Sequence, residues 1–284
     1  MEYLLYLQHL REVAPEIVNE GILFLSEFMG GTGALAVIAL VYWCISKPAG
    51  TFMLLNFSST YMMNHTLKNI FCIRRPFLLD PRIQPYTTAT GYSFPSGHTM
   101  LGTAVYSSAA IWQKSRKWFV GVCTFMILLT AFGRNWIGVH TPKDVIVGIL
   151  AALVVVFCQY HTLLWLEKQP EKDIFVLMIS IIWAAALLLF LQDSAKPCGI
   201  FLGVYIGWFA ERRWVRFDVQ GTLICRILQY ILGMGFVLVM YKVLLPILAS
   251  PFSENMQTLL INAFTFFSVT ALWPAILRLF QKKK

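Results

Sequence analysis

Nine apolar stretches, near residues 21–45, 51–71, 97–113, 118–133, 144–166, 174–192, 198–213, 222–248 and 257–280, dominate this chain and restrict what it can become. Roughly 20 mostly apolar residues in a helix cross a hydrocarbon core of about 30 Å, and these runs have that scale. Composition removes the soluble alternative. Charged residues make up 13% of the sequence, against about 25% in an ordinary soluble protein, so most of the surface cannot face water. Disorder and a nucleic-acid scaffold are excluded by the same figure. The expected fold is all-α: a polytopic membrane helical bundle of about nine transmembrane helices forming a single membrane domain over residues 1–284. Residues 1–20 read as an amino-terminal interfacial segment without the basic region and cleavage site of a secretory leader. Six cysteines, Cys44, Cys72, Cys123, Cys158, Cys198 and Cys225, stand without any CxxC spacing, which points to neither zinc nor a disulfide framework.

The net charge of +9 is a matter of topology. Cytoplasmic loops of membrane proteins gather Lys and Arg, and nine spans sort the connections into two sets. One set holds Lys47, Lys114, Arg116, Lys117, Lys168, Lys172, Arg212, Arg213, Arg216, Arg226, Arg278 and Lys282 to Lys284, the larger part of the 23 basic residues. The carboxyl terminus is therefore expected in the cytoplasm and the amino terminus outside, and no nucleic-acid partner is implied. Gly199, Gly203 and Gly207 recur on one helix face at a spacing that lets helices approach closely. Packing within the monomer is the preferred reading of that stripe, and a homodimer face is the alternative.

Charged side chains in or beside membrane helices cost about 2.5–3.5 kcal/mol each on insertion scales, so a cluster of them needs a reason. Three clusters fall on the expected outer side: Lys68 to Pro76, Pro95-Ser96-Gly97-His98, and Gly133 to Asp144. Lys68, Arg75 and Arg134 suit anionic oxygens, Arg in a bidentate fork. Ser96 and Gly97 open a helix whose first N–H groups favour an anion too. Such a pocket fits a phosphoryl group better than a carboxylate. His98 and His140 add a nucleophile and a general acid. Asp144, four residues beyond His140, can hold its ring N–H. One carboxylate is too few for a two-metal site, so no metal or other cofactor is expected. A salt-bridged polar plug between helices is the competing view, and it gives no reason for two histidines in these positions.

The pattern Lys-x6-Arg-Pro, Pro-Ser-Gly-His and Arg-x5-His-x3-Asp resembles the three signature motifs of the type 2 phosphatidic acid phosphatase (PAP2) superfamily. That resemblance implies a PAP2-like helical core over residues 21–166, with additional transmembrane helices of unassigned role over 174–280. It implies phosphate binding by Lys68, Arg75, Ser96, Gly97 and Arg134. His140 would become phosphorylated, with Asp144 its partner, and His98 would protonate the leaving group and then activate water. The sequence departs from the family where Gly133 stands in place of a common Ser.

Residues 77–94 form a connection long enough to be functional, read here as a lid. His65 and Asn64 share a helix face with Lys68 and either support it or bond structurally, whereas Arg74 is expected to meet headgroups or solvent. The implied activity is metal-independent hydrolysis of a lipid phosphate or polyprenyl pyrophosphate through a phosphohistidine at the outer face, with membrane lipids as surroundings. The alternatives are a lipid-linked phosphotransferase, a glucose-6-phosphatase-like sugar phosphatase and, more remotely, a transporter or anion channel.

Overall fold

The computed structural model describes residues 1–281, so Lys282, Lys283 and Lys284, expected on the cytoplasmic side, lie outside the described residues. Among the described residues the regular structure is entirely helical. In chain order the α-helices are α1 (Glu2–Val13), α2 (Glu16–Gly30), α3 (Thr32–Leu40), α4 (Lys47–Phe71), α5 (Pro76–Leu79), α6 (Gly97–Trp112) and α7 (Lys117–Trp136). There follow α8 (Pro142–Lys168), α9 (Asp173–Phe190), α10 (Ala195–Ala210), α11 (Leu223–Val239), α12 (Leu245–Ala249), α13 (Glu254–Phe267) and α14 (Trp273–Leu279). Single π-helical turns continue α3, α10, α11 and α13.

All nine apolar stretches lie on helices. Among the described residues five helical segments are long and apolar enough to cross a membrane, Lys117–Trp136, Pro142–Lys168, Pro170–Phe190, Leu223–Ile247 and Glu254–Leu279. The pair α2 and α3 passes the same test only when taken together, and the two helices bend by 48° where one straight span is expected from the sequence. The bend falls at Gly30 and Gly31, where the chain leaves helical geometry. The other three stretches fall short for separate reasons. Helix α4 is long but carries Asn56, Ser58, Ser59, Thr60, Asn64 and Lys68. Helix α6 has 16 residues, which reach only about 24 Å at the α-helical rise, and α10 with its π-helical turn, residues 195–215, carries Lys196, Glu211, Arg212 and Arg213.

The chain divides into two compact units. The first, Met1–Ala36 with Met63–Cys158, contains every residue of the three motifs. In it α2, α6 and α7 pack on one another, and α1 lies against α7. The contacts are close because glycine stands at the crossings. A side chain at Gly30 would come within 2.5 Å of the His98 carbonyl oxygen, so the end of α2 rests directly on the backbone that opens α6. Gly133 is required in the same way: a Cβ there would lie 2.6 Å from the Ser26 Cβ on α2. The departure from the family's serine thus has a packing cause.

The second unit, Val37–Met62 with Gln159–Lys284, is built around α10 and α13. Its glycine stripe is covered within the chain, since added side chains at Gly199 and Gly203 would meet the Leu259 and Ala263 carbonyls at 2.5 and 2.3 Å. Several buried polar groups in this unit are paired. Lys47 meets Glu211 at 2.6 Å, Asp173 receives Arg212 and Arg213, and Tyr205 bonds Ser59 and Gln159 at 2.8 and 3.1 Å. Such pairing is what polar side chains require where water is scarce.

Candidate active site

His140 sits in the turn between α7 and α8, where Gly138 takes a positive φ of 77° and the chain reverses before Pro142 opens the next helix. Its ring is 2% exposed. One face of the imidazole is tied to the start of α8. Nδ1 lies 3.3 Å from the Ser93 hydroxyl oxygen and 3.5 Å from Asp144 Oδ2. Ser93 donates to that same carboxylate oxygen at 2.6 Å, and the Thr141 N–H does so at 2.8 Å. The carboxylate is thus shared, and the serine lies beside its path to the ring.

On the other side, Arg75 Nη1 donates to His140 Nε2 at 3.3 Å. A donor at Nε2 makes that nitrogen the acceptor and leaves the ring proton on Nδ1. Burial pushes the His140 imidazole well below its ordinary value, helped by the nearby positive charges of Arg134, Arg75 and Lys68. The ring is therefore neutral, with its lone pair on Nε2.

Arg75 is buried and its guanidinium is held on every side by backbone. It donates to the Gly91 and Thr90 carbonyls at 3.2 and 2.7 Å and to the Val139 carbonyl at 3.2 Å. Burial, then the charge of Arg134, lowers it to about 10, so it stays charged at neutral pH. Lys68 Nζ donates to the Tyr92 carbonyl at 2.7 Å. The expected lid, 77–94, thus wraps onto the basic groups through its final residues. Its earlier part is fastened elsewhere. The Tyr86 N–H donates to the Ile137 carbonyl at 2.9 Å, and Phe77 and Tyr86 pack on a cluster of Leu7, Trp136, Ile137 and Val139. Arg11 of α1, buried, bonds the Trp136 carbonyl at 2.9 Å and the Gln84 carbonyl.

Ser96 precedes α6 and is fully buried. Its N–H, expected to face an anion, instead donates to the Asp144 carbonyl at 3.0 Å, which fastens the second motif to the third. The anion-favouring groups are then those from Gly97 onward, where helix geometry leaves the first-turn N–H groups without intrahelical partners. Asn64 borders Gly97, and its amide donates to the Pro95 carbonyl at 3.1 Å. His65 makes contact with Asn69, 3.3 Å from its Nε2. Arg74 is exposed.

Arg134, 3% exposed, lies in the last turn of α7. Its Nη1 pairs with Glu27 of α2, and its Nε is buried without a hydrogen-bond partner among the described residues. The second oxygen of Glu27 lies 2.8 Å from His98 Nε2. Neither Glu27 nor Ser93 had been singled out from the sequence. For Glu27 a signal existed, since it is the one charged residue in the apolar stretch 21–45. For Ser93 there was none beyond its place near the second motif. Among the described residues no three His, Cys, Asp or Glu side chains are grouped as metal ligands.

The fold and the gathered motifs define a helical membrane protein with a cluster of basic side chains around two histidines. Residues 49–169 match the PAP2 superfamily, and residues 195–284 match the PAP2 superfamily phosphatase transmembrane extension. The chain belongs to the PAP2 superfamily and is an integral membrane protein. The second match gives a family context to helices that the motifs leave without one. The chain is 26% identical over 106 residues to the undecaprenyl-diphosphatase of Sulfolobus acidocaldarius, which is 37% of this chain and 50% of that one. It is 27% identical over 145 residues to the undecaprenyl-diphosphatase BcrC of Bacillus subtilis, covering 50% and 72%. It is 29% identical over 116 residues to phosphatidylglycerophosphatase B of the same organism, covering 38% and 55%. The match thus spans half the length of the archaeal relative. No solved structure matches the chain.

Proposed function

We propose that this protein is a metal-independent membrane phosphatase that hydrolyses a lipid phosphate or polyprenyl diphosphate by way of a phosphohistidine. The observation that carries the reading is the state of His140: buried and neutral, with its proton directed at Ser93 and Asp144 and its Nε2 beside Arg75. In the first half of the reaction Nε2 attacks phosphorus, the bond to the leaving oxygen breaks, and His98 gives that oxygen a proton. In the second half His98 takes a proton from water as the water oxygen attacks the phosphohistidine. Phosphate departs and His140 is neutral again. Lys68, Arg75 and Arg134 supply the positive charge that the equatorial oxygens need in the transition state. The orphan Nε of Arg134 is a donor whose burial is costly until an oxygen accepts from it.

The relatives named as diphosphatases and as a phosphatidylglycerophosphatase support a lipid-borne substrate. Purified protein in detergent should therefore release phosphate far faster from a long-chain lipid phosphate or polyprenyl diphosphate than from glucose 6-phosphate, and EDTA should leave the rate unchanged. Equal turnover of the soluble ester would remove the lipid assignment, and loss of activity with EDTA reversed by Mg²⁺ would remove the mechanism.

The loop charges support a site on the outer face with the carboxyl terminus in the cytoplasm. After replacement of the native cysteines, single cysteines at the exposed positions Lys117 and Lys168 should resist an impermeant thiol reagent in intact cells, and ones at Lys196 and Ser253 should react. The reverse labelling pattern would turn the site inward.

A further inference from the structure

Glu27 is the one charged residue in the apolar run 21–45, and a carboxylate kept in such a run calls for a function. It stands outside all three motifs. Both of its oxygens are committed, Oε1 to Arg134 Nη1 and Oε2 to His98 Nε2 at 2.8 Å. The placement is enforced by the backbone, because Gly30, one turn further along α2, lets that helix rest on the main chain of His98. We propose that Glu27 is a positioning residue for His98, holding the ring proton on Nε2 so that Nδ1 is the nitrogen that exchanges protons with the leaving oxygen and with water. The proposal rests on the phosphatase reading above.

A carboxylate can only accept, so the Nε2 facing it must carry a hydrogen. In the imidazolium both nitrogens are protonated: Nε2–H points to Glu27, and Nδ1–H is the proton given to the leaving oxygen as the P–O bond breaks. The neutral ring that remains still has hydrogen on Nε2. Its bare Nδ1 is then ready to accept from the water that cleaves the phosphohistidine, which restores the imidazolium. One tautomer serves both halves, and Glu27 selects it. The other charged groups acting on His98 are Arg134 from α7 and Lys68 from α4, both positive. Burial and those two cations disfavour a protonated His98, and Glu27 is the carboxylate that opposes them.

The arrangement mirrors the other histidine. Asp144 with Ser93 lies at Nδ1 of His140 and leaves Nε2 for phosphorus, whereas Glu27 lies at Nε2 of His98 and leaves Nδ1 for the leaving oxygen. Each ring has a carboxylate on one nitrogen and its chemistry on the other.

The test compares wild type, Glu27→Gln, Glu27→Ala and His98→Ala, purified as full chains, on an alkyl phosphomonoester and on p-nitrophenyl phosphate. General acids contribute about 10²–10⁴-fold, so losing only the positioning of one should lower kcat on the alkyl ester by about 10–10²-fold. KM should stay within about twofold, and the nitrophenyl ester, whose leaving oxygen needs no proton, should lose less than about threefold. Glu27→Ala should regain part of its kcat on the alkyl ester with added formate, and His98→Ala should show the same dependence on leaving group. Equal losses on both esters, or a change confined to KM, would overturn the proposal and make Glu27 a structural clamp on Arg134. Faster turnover with tighter vanadate inhibition in Glu27→Gln would overturn it too, making Glu27 a stand-in for the phosphate. If wild type released no phosphate from either ester, the phosphatase reading would fail and take this inference with it. An active wild type matched by Glu27→Gln would sink this inference alone.

Discussion

Phosphate release from every substrate should stop when His140 is replaced by alanine. The expectation follows from the way the ring is held. It is 2% exposed, clamped between Ser93 on one nitrogen and Arg75 on the other, and neutral because burial disfavours its charged form. No second group in the pocket can take its place. Ser93 is committed to Asp144, Lys68 and Arg75 are cations, and His98, held at Nε2 by Glu27, is reserved for proton transfer at its other nitrogen. Loss of the covalent step should lower kcat by at least about 10⁴-fold, by analogy with nucleophile deletions in enzymes that work through a covalent intermediate. Vanadate, which takes the geometry of pentacoordinate phosphorus, should still bind the variant through Arg75 and Arg134, and that separates lost chemistry from lost folding. Substantial turnover by His140→Ala would end the phosphohistidine proposal. Wild type quenched during turnover should in turn carry a phosphoryl group labile to acid and stable to base.

Much of this pocket could be read from the chain alone, for a physical reason. Charge is so disfavoured in apolar stretches that Lys68, Arg75, Arg134, His98, His140 and Asp144 stood out without any knowledge of contacts, and the structure brings them into one unit. What could not be read depended on which helix meets which. Glu27 was visible as an isolated charge, but its pairing with His98 and Arg134 requires α2 to cross α6 and α7, and that crossing is set by small residues such as Gly30 and Gly133 whose role appears only in three dimensions. Ser93 is an ordinary loop serine until the loop folds back over His140. The Ser96 N–H was assigned to an anion because helix openings bind anions, yet the neighbouring Asp144 carbonyl takes it. The span count meets the same limit. Hydropathy treats a helix as a string, whereas α4 is polar on the part that carries Asn64 and Lys68, and α6 is short, opening at the motif itself.

The second large loss is expected from Asp144→Asn, a change of one atom. Three donors converge on Asp144 Oδ2: Ser93 Oγ at 2.6 Å, the Thr141 N–H at 2.8 Å and His140 Nδ1 at 3.5 Å. An ionised carboxylate can accept from all of them, but an asparagine can turn its oxygen to that position only by presenting its NH₂ at the other, and it lacks the charge that favours His140 Nδ1–H. If the amide nitrogen faces the serine instead, Ser93 must reverse its hydroxyl, and the His140 proton moves to Nε2. That removes the lone pair from the nitrogen that attacks phosphorus. It also sets an N–H against Arg75 Nη1, 3.3 Å away, where a donor already points. The analogous substitution in a serine protease triad, which leaves the geometry intact but yields the wrong tautomer, lowers kcat by about 10⁴-fold, and a loss of about 10³–10⁴-fold is expected here. Because phosphate contacts are untouched, KM and vanadate inhibition should change little. Asp144→Glu retains the charge but crowds the Ser93 and Thr141 donors, and should fall between wild type and Asp144→Asn. A loss confined to KM, or equal to that of a surface substitution such as Arg74→Gln, would show that Asp144 merely anchors α8 to Ser93 and plays no part in preparing the nucleophile.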